Sequence, residues 1–133
     1  MAGEKILVVE DQRALAGALQ MRLRGLGYSV MAVAKDGAEA IEKASALHPD
    51  LILMEIRLGE GMDGIEAARQ IRAQLDIPAV YVSAYVDRKL LDRTRQTHPA
   101  GFINKPFTTI TLALFQHQDK TTQLDYDVVK RAG

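Results

Sequence analysis

Short, uninterrupted apolar runs alternate along this chain with longer stretches in which apolar residues recur every three or four positions. Residues 6–9 (ILVV) precede a stretch carrying Leu15, Leu19, Leu23 and Leu26 on one face. Residues 28–33 carry the β-branched and aromatic signal of a second strand, and Asp36 with Glu39 has the spacing of a capping box at the next helix start. Residues 51–54 (LILM) form a third strand, and Asp63 with Glu66 repeats the capping spacing before a helix through Gln74, with Ile65, Ala68 and Ile71 on one face. Residues 78–82 are the fourth strand, residues 86–96 a more polar helix, and residues 101–103 a short fifth strand. Strands apolar on both sides of the pleat must be covered on both sides. Five such strands joined by helices predict an α/β fold with a parallel sheet between helical layers.

Composition narrows the function. The 133 residues make about one domain, and 47% hydrophobic content supports a buried core. Seventeen Lys and Arg against seventeen Asp and Glu leave no net charge, which excludes a globally basic binder of nucleic acid or of an anionic membrane. Without cysteine there is no thiolate nucleophile and no sulfur-based zinc site. The histidines His48, His98 and His117 lack metal-ligand spacing and read as loop or solvated positions. Any metal site must then rest on carboxylates, which means magnesium or calcium. No apolar run approaches the roughly 20 residues of a membrane span, and the start of the chain lacks a signal-peptide pattern, so a cytoplasmic location is expected.

The last thirty or so residues read less sharply. Residues 108–115 are expected to form a closing fifth helix, although their threonines and period-two pattern suit a strand nearly as well. Residues 124–128 alternate apolar with charged and read as a frayed tail. The expected organisation is one domain over residues 1–118 and a tail or linker start over 119–133.

In open parallel sheets ligands bind beyond the carboxyl ends of the strands. Here the first strand stops at Glu10 and Asp11, the third at Glu55, the fourth at Ser83, and the fifth at Asn104 and Lys105. Two carboxylates about 4 Å apart repel by roughly 4 kcal/mol at an effective dielectric near 20. Three of them need cations, which Lys105 and a Mg2+ ion can supply. Glu10 and Asp11 have a simpler alternative reading as caps of the first helix. Asp36 and Asp63 are read as helix caps. The charged face with Arg88, Lys89, Asp92, Arg93 and Arg95 reads as a solvated helix surface, with a partner surface equally open. Gly59, Gly61 and Gly64 match the dinucleotide fingerprint G-x-G-x-x-G, but Glu60 and Asp63 would set two carboxylates against a pyrophosphate, so nucleotide binding is disfavoured.

Taken in order, LVVED at 7–11, DLILMEI at 50–56, Met62-Asp63-Gly64, Ser83-Ala84 and FINKPF at 102–107 resemble the receiver domain of two-component response regulators. The resemblance covers residues 4 to about 107. It implies a doubly wound, flavodoxin-like sheet of strand order 2-1-3-4-5. It further implies that Glu10, Asp11, Glu55 and the backbone carbonyl of Arg57 hold Mg2+, and that Ser83 and Lys105 contact a phosphoryl group. Ser83 and Phe102 would be switch residues, and the bond between Lys105 and Pro106 would be cis. One position departs from the family. Its phosphoacceptor is aspartate, and Glu55 stands there. The extra methylene moves the carboxylate by roughly 1 Å, and a misplacement of that size can cost about a hundredfold in rate. Poor phosphate acceptance is therefore expected, together with partial mimicry of the phosphorylated state, although one charge on two oxygens falls short of a phosphoryl's nearly two on three. The implied partners are a sensor histidine kinase or phosphotransfer protein and a downstream output domain or protein, with a homodimer left open. No direct contact with nucleic acid or membrane is expected. A Mg2+-dependent phosphotransfer enzyme acting on a small substrate is the alternative. It is disfavoured because no histidine or cysteine lies near the strand ends, and only the loop over residues 57–63 is available to form a substrate pocket.

Overall fold

In a computed structural model, which describes residues 3–84 and 87–105, the elements alternate strictly. They are β1 (Lys5–Val9), α1 (Arg13–Gly25), β2 (Ser29–Ala34), α2 (Gly37–Leu47), β3 (Leu51–Glu55), α3 (Gly64–Leu75), β4 (Ala79–Ser83), α4 (Arg88–Arg95) and β5 (Gly101–Asn104). All strand pairs are parallel and the order is β2-β1-β3-β4-β5, as expected. The expected closing helix at 108–115, the tail at 119–133, His117 and the bond to Pro106 lie outside the described residues.

Two apolar layers sandwich the sheet because successive strand side chains point to opposite faces. Ile6, Val8, Leu51, Leu53, Val80, Val82 and Ile103 form one layer with Leu19 and Leu23 of α1. Leu7, Val9, Ile52, Met54, Tyr81 and Phe102 form the other with residues of α2, α3 and α4. Predicted face residues Leu15 and Leu26 pack at the margin of the first layer, half-buried.

Helix starts follow local chemistry. Asp36 caps α2 by accepting from the Glu39 N–H at 2.8 Å, while Glu39 accepts from the Lys35 N–H at 2.8 Å. Asp63 caps α3 by accepting from the Glu66 N–H at 2.9 Å, and Asp87 caps α4 through the Leu90 N–H at 2.8 Å. The last cap was not singled out in the sequence, although an aspartate three residues before the first buried stripe is its ordinary signal. α1 differs. Its N-cap is Gln12, no side chain caps it, and its first turn holds no acid. Glu10 and Asp11 precede that N-cap, and Glu10 accepts from the Gln12 N–H just ahead of the helix.

Candidate functional site at the carboxyl ends of the strands

Period two also decides which acids meet. Glu10 continues the face of Ile6 and Val8, Glu55 that of Leu51 and Leu53, and Lys105 that of Ile103, so the three arrive on one side of the sheet edge. Their backbones are fixed by the ladders: the Glu10 N–H donates to Ala34 O at 2.9 Å, the Ile56 N–H to Val82 O at 3.3 Å and the Lys105 N–H to Ser83 O at 2.9 Å. The Lys105 ammonium donates to Glu10 Oε1 at 3.0 Å and to Glu55 Oε1 at short range. The other carboxylate oxygens are also taken. Glu10 Oε2 accepts from the Gln12 N–H at 3.1 Å, and Glu55 Oε2 from the Arg57 N–H at 3.0 Å.

Both glutamates are buried, at 2% and 5% exposure, so this is an interior ion triad at the mouth of the fold. Burial pushes the Glu10 carboxyl up, opposed by the Gln12 amide and by Lys105. Burial works against the Lys105 ammonium as well, but its hydrogen bonds to Glu55 and Glu10 outweigh this and raise it overall. The arrangement favours a protonated lysine hydrogen-bonded to both glutamates at once.

The β3–α3 connection holds Glu55 by its backbone. A Cβ built on Gly64 would overlap the Glu55 carbonyl oxygen and stand 2.9 Å from both its carbonyl carbon and Met54 Cγ, so only glycine allows α3 to start against the end of β3. The Gly64 N–H donates to Ile56 O at 2.8 Å. With that amide and the Glu66 amide both occupied, the start of α3 offers little to a pyrophosphate, which agrees with setting the dinucleotide reading aside.

The remaining predicted residues fall around this triad. Asp11 is exposed beside Glu10 and faces Gly59, where a built Cβ would lie 3.9 Å from Asp11 Oδ2. Arg57 is exposed and contributes its amide. Ser83 is fully buried as the last residue of β4. Phe102 faces the other layer, its ring 6.2 Å from that of Tyr81 at 44°, and Tyr81 in turn shares a buried 2.6 Å hydrogen bond with Thr97. His48 and His98 are exposed, in positive-φ positions. One contact was missed in the sequence. Arg93, read there as a solvated charge, grips Asp63 with Nη1–Oδ2 at 2.8 Å and Nη2–Oδ1 at 3.2 Å, tying α4 to the start of α3. Asp63 is thus more than a cap.

The donor set is the hard, oxygen-rich kind that suits magnesium. As arranged, however, no three His, Asp or Glu side chains among the described residues gather into a cation cage. Lys105 stands between Glu10 and Glu55 and supplies the counter-charge.

The family profile described as response regulator receiver domain matches residues 6–114. This chain belongs to that family. The phyllosphere-induced regulator PhyR of Methylorubrum extorquens is 34% identical over 121 residues, covering 86% of this chain and 45% of the relative. The transcriptional regulatory protein PdtaR of Mycobacterium tuberculosis is 34% identical over 104 residues, covering 78% and 50%. The chain thus spans about half the length of these curated relatives. Among solved structures, the receiver domain of sensor histidine kinase PA1611 from Pseudomonas aeruginosa aligns with a TM-score of 0.76 and 32% identity, over 88% of this chain and 97% of that one. It is described with a magnesium ion coordinated in its active-site cleft. The receiver-domain fold and family expected from the motifs are thereby shown. No helix among the described residues is long and apolar enough to cross a membrane.

Proposed function

We propose that this receiver domain switches partner binding through the acid site, with Glu55 acting as an impaired phosphoacceptor that partly imitates the phosphorylated state. The observation that carries this reading is the Lys105 ammonium drawn onto Glu55 and Glu10 at once, with both acids buried. In this reading Lys105 is the residue that contacts a phosphoryl group, and Glu55 already engages it with one negative charge. Glu10, Asp11, Glu55 and the Arg57 carbonyl would hold Mg2+, whose role when bound is to neutralise charge that develops on phosphoryl oxygens. Ser83, at the end of β4, and Phe102, packed on Tyr81, would move toward the site when its charge is satisfied, so that the equilibrium between two conformations reports the state of position 55. Sensor kinases or phosphotransfer proteins upstream and an output domain or protein downstream are the partners this role requires. Residues 1–118 would be the receiver unit and 119–133 a tail or linker, and the protein would work in the cytoplasm. The small-substrate enzyme has no observation in its favour.

Incubating the chain with Mg2+ and acetyl phosphate tests acceptance. Labelling is expected to run about a hundredfold slower than in the Glu55→Asp variant. Equally fast, stoichiometric labelling of both would overturn the impairment. Mimicry is read separately, from the positions of Ser83 and Phe102 in structures of this chain and of unphosphorylated Glu55→Asp. Both side chains are expected to stand closer to the site when glutamate is present, and identical positions would defeat the claim.

A further inference from the structure

We propose that Lys105 is the resident counter-ion of the Glu10 and Glu55 pair and competes with a divalent cation for it, so that this chain binds Mg2+ more weakly than the same chain carrying aspartate at position 55. The inference deepens the switch reading and rests on it only in assigning the cation to these acids. Every carboxylate oxygen of the pair already accepts a hydrogen bond, from Lys105 twice and from the amides of Gln12 and Arg57. Each oxygen keeps a second lone pair, but Mg2+ demands a near-octahedral array at short range and would have to take those lone pairs beside the ammonium. A dication and an ammonium in one gap also repel more strongly than the ammonium attracts either carboxylate, since the charge product is doubled. Entry of the cation therefore requires Lys105 to withdraw.

Two features hold Lys105 in place. Its backbone is pinned to Ser83 O at 2.9 Å, and its side chain is only 15% exposed. Glutamate supplies the third. One added carbon–carbon bond extends the carboxylate by up to about 1.5 Å from the β3 backbone toward the ammonium. Aspartate at 55 would draw that carboxylate back, loosen the lysine and open the gap between the acids to a cation.

The test is a Mg2+ titration at constant ionic strength of the full chain, of Glu55→Asp and of Lys105→Gln, followed through the backbone amide resonances of Gln12 and Arg57. Both variants are expected to bind at least about tenfold more tightly than the parent. Equal affinity in parent and Glu55→Asp, or no gain in Lys105→Gln, would overturn the competition. Should Lys105→Gln fold poorly, thermal melts supply the second readout: Mg2+ is expected to raise the midpoint of Glu55→Asp more than that of the parent, and an equal rise counts against the proposal. Saturable binding in none of the three chains would remove both the competition and the cation site. The positional test of Glu55 stands or falls without it.

Discussion

Among single residues, Gly64 and Glu66 are the most instructive pair, because one is fixed by space and the other by charge. Gly64 admits no Cβ, since the carbonyl of Glu55 and the side chain of Met54 occupy its place. Gly64→Ala is expected to lose about 3 kcal/mol or more in urea unfolding, the range of overpacked backbone contacts. Glu66 is held by hydrogen bonds from Arg69 and Gln70, and its carboxyl is lowered to about 2. A depressed acid contributes stability above its unfolded value of 4.5, and that contribution fades as pH falls from there through about 2. The pair is solvent-exposed and screened by water, so its contribution to stability is small. A carboxyl NMR titration is expected to place Glu66 well below the ordinary range, and Arg69→Ala to return it most of the way. In the sequence, Glu66 was visible as the partner of a capping pattern. The exclusion at Gly64 was not, because it depends on where a carbonyl 9 positions earlier comes to rest.

Secondary-structure elements were legible nearly to their ends, since each strand is a continuous apolar run and each connecting helix keeps its own period. The lapses are instructive. Glu55, Ser83 and Asn104 belong to their strands as final residues, although their polarity had marked them as stops. The ladder continues one residue past the last apolar side chain because backbone pairing is indifferent to what the side chain is. The clasp between Arg93 and Asp63 escaped notice because it joins helices 30 positions apart, and no local pattern reports such a pair. Arg93→Ala is expected to leave the fold intact, cost about 0.5–1 kcal/mol and speed amide exchange across α4. Unchanged exchange in α4 would show that the clasp does not hold it.

The whole molecule explains why a chain without net charge has a charged centre. Parallel topology delivers the ends of β1, β3 and β5 to one edge, and parity places Glu10, Glu55 and Lys105 on one side of it. The sequence showed that acids and a lysine would gather there. It did not show that the lysine would bridge both acids, because that depends on side-chain reach across gaps of 95 and 50 positions. Removing one member of a buried ion pair costs about 3–5 kcal/mol, so Lys105→Ala is expected to destabilise the chain by that order in chemical denaturation at neutral pH. A loss under 1 kcal/mol would mean that the acids find other compensation. A last consequence belongs to the close approach of Gly64 to the carbonyl of Glu55. The main chain at position 55 is gripped from the glycine side, so its course does not depend on whether aspartate or glutamate stands there. Chemistry and architecture are thereby separable at this position. Aspartate and glutamate codons differ by a single base, and on the proposed reading such a change would alter how this module answers a signal while leaving its backbone scaffold in place. Folded variants from a library randomised at both positions are expected to carry glycine at 64 and, at 55, an acid that keeps Lys105 paired.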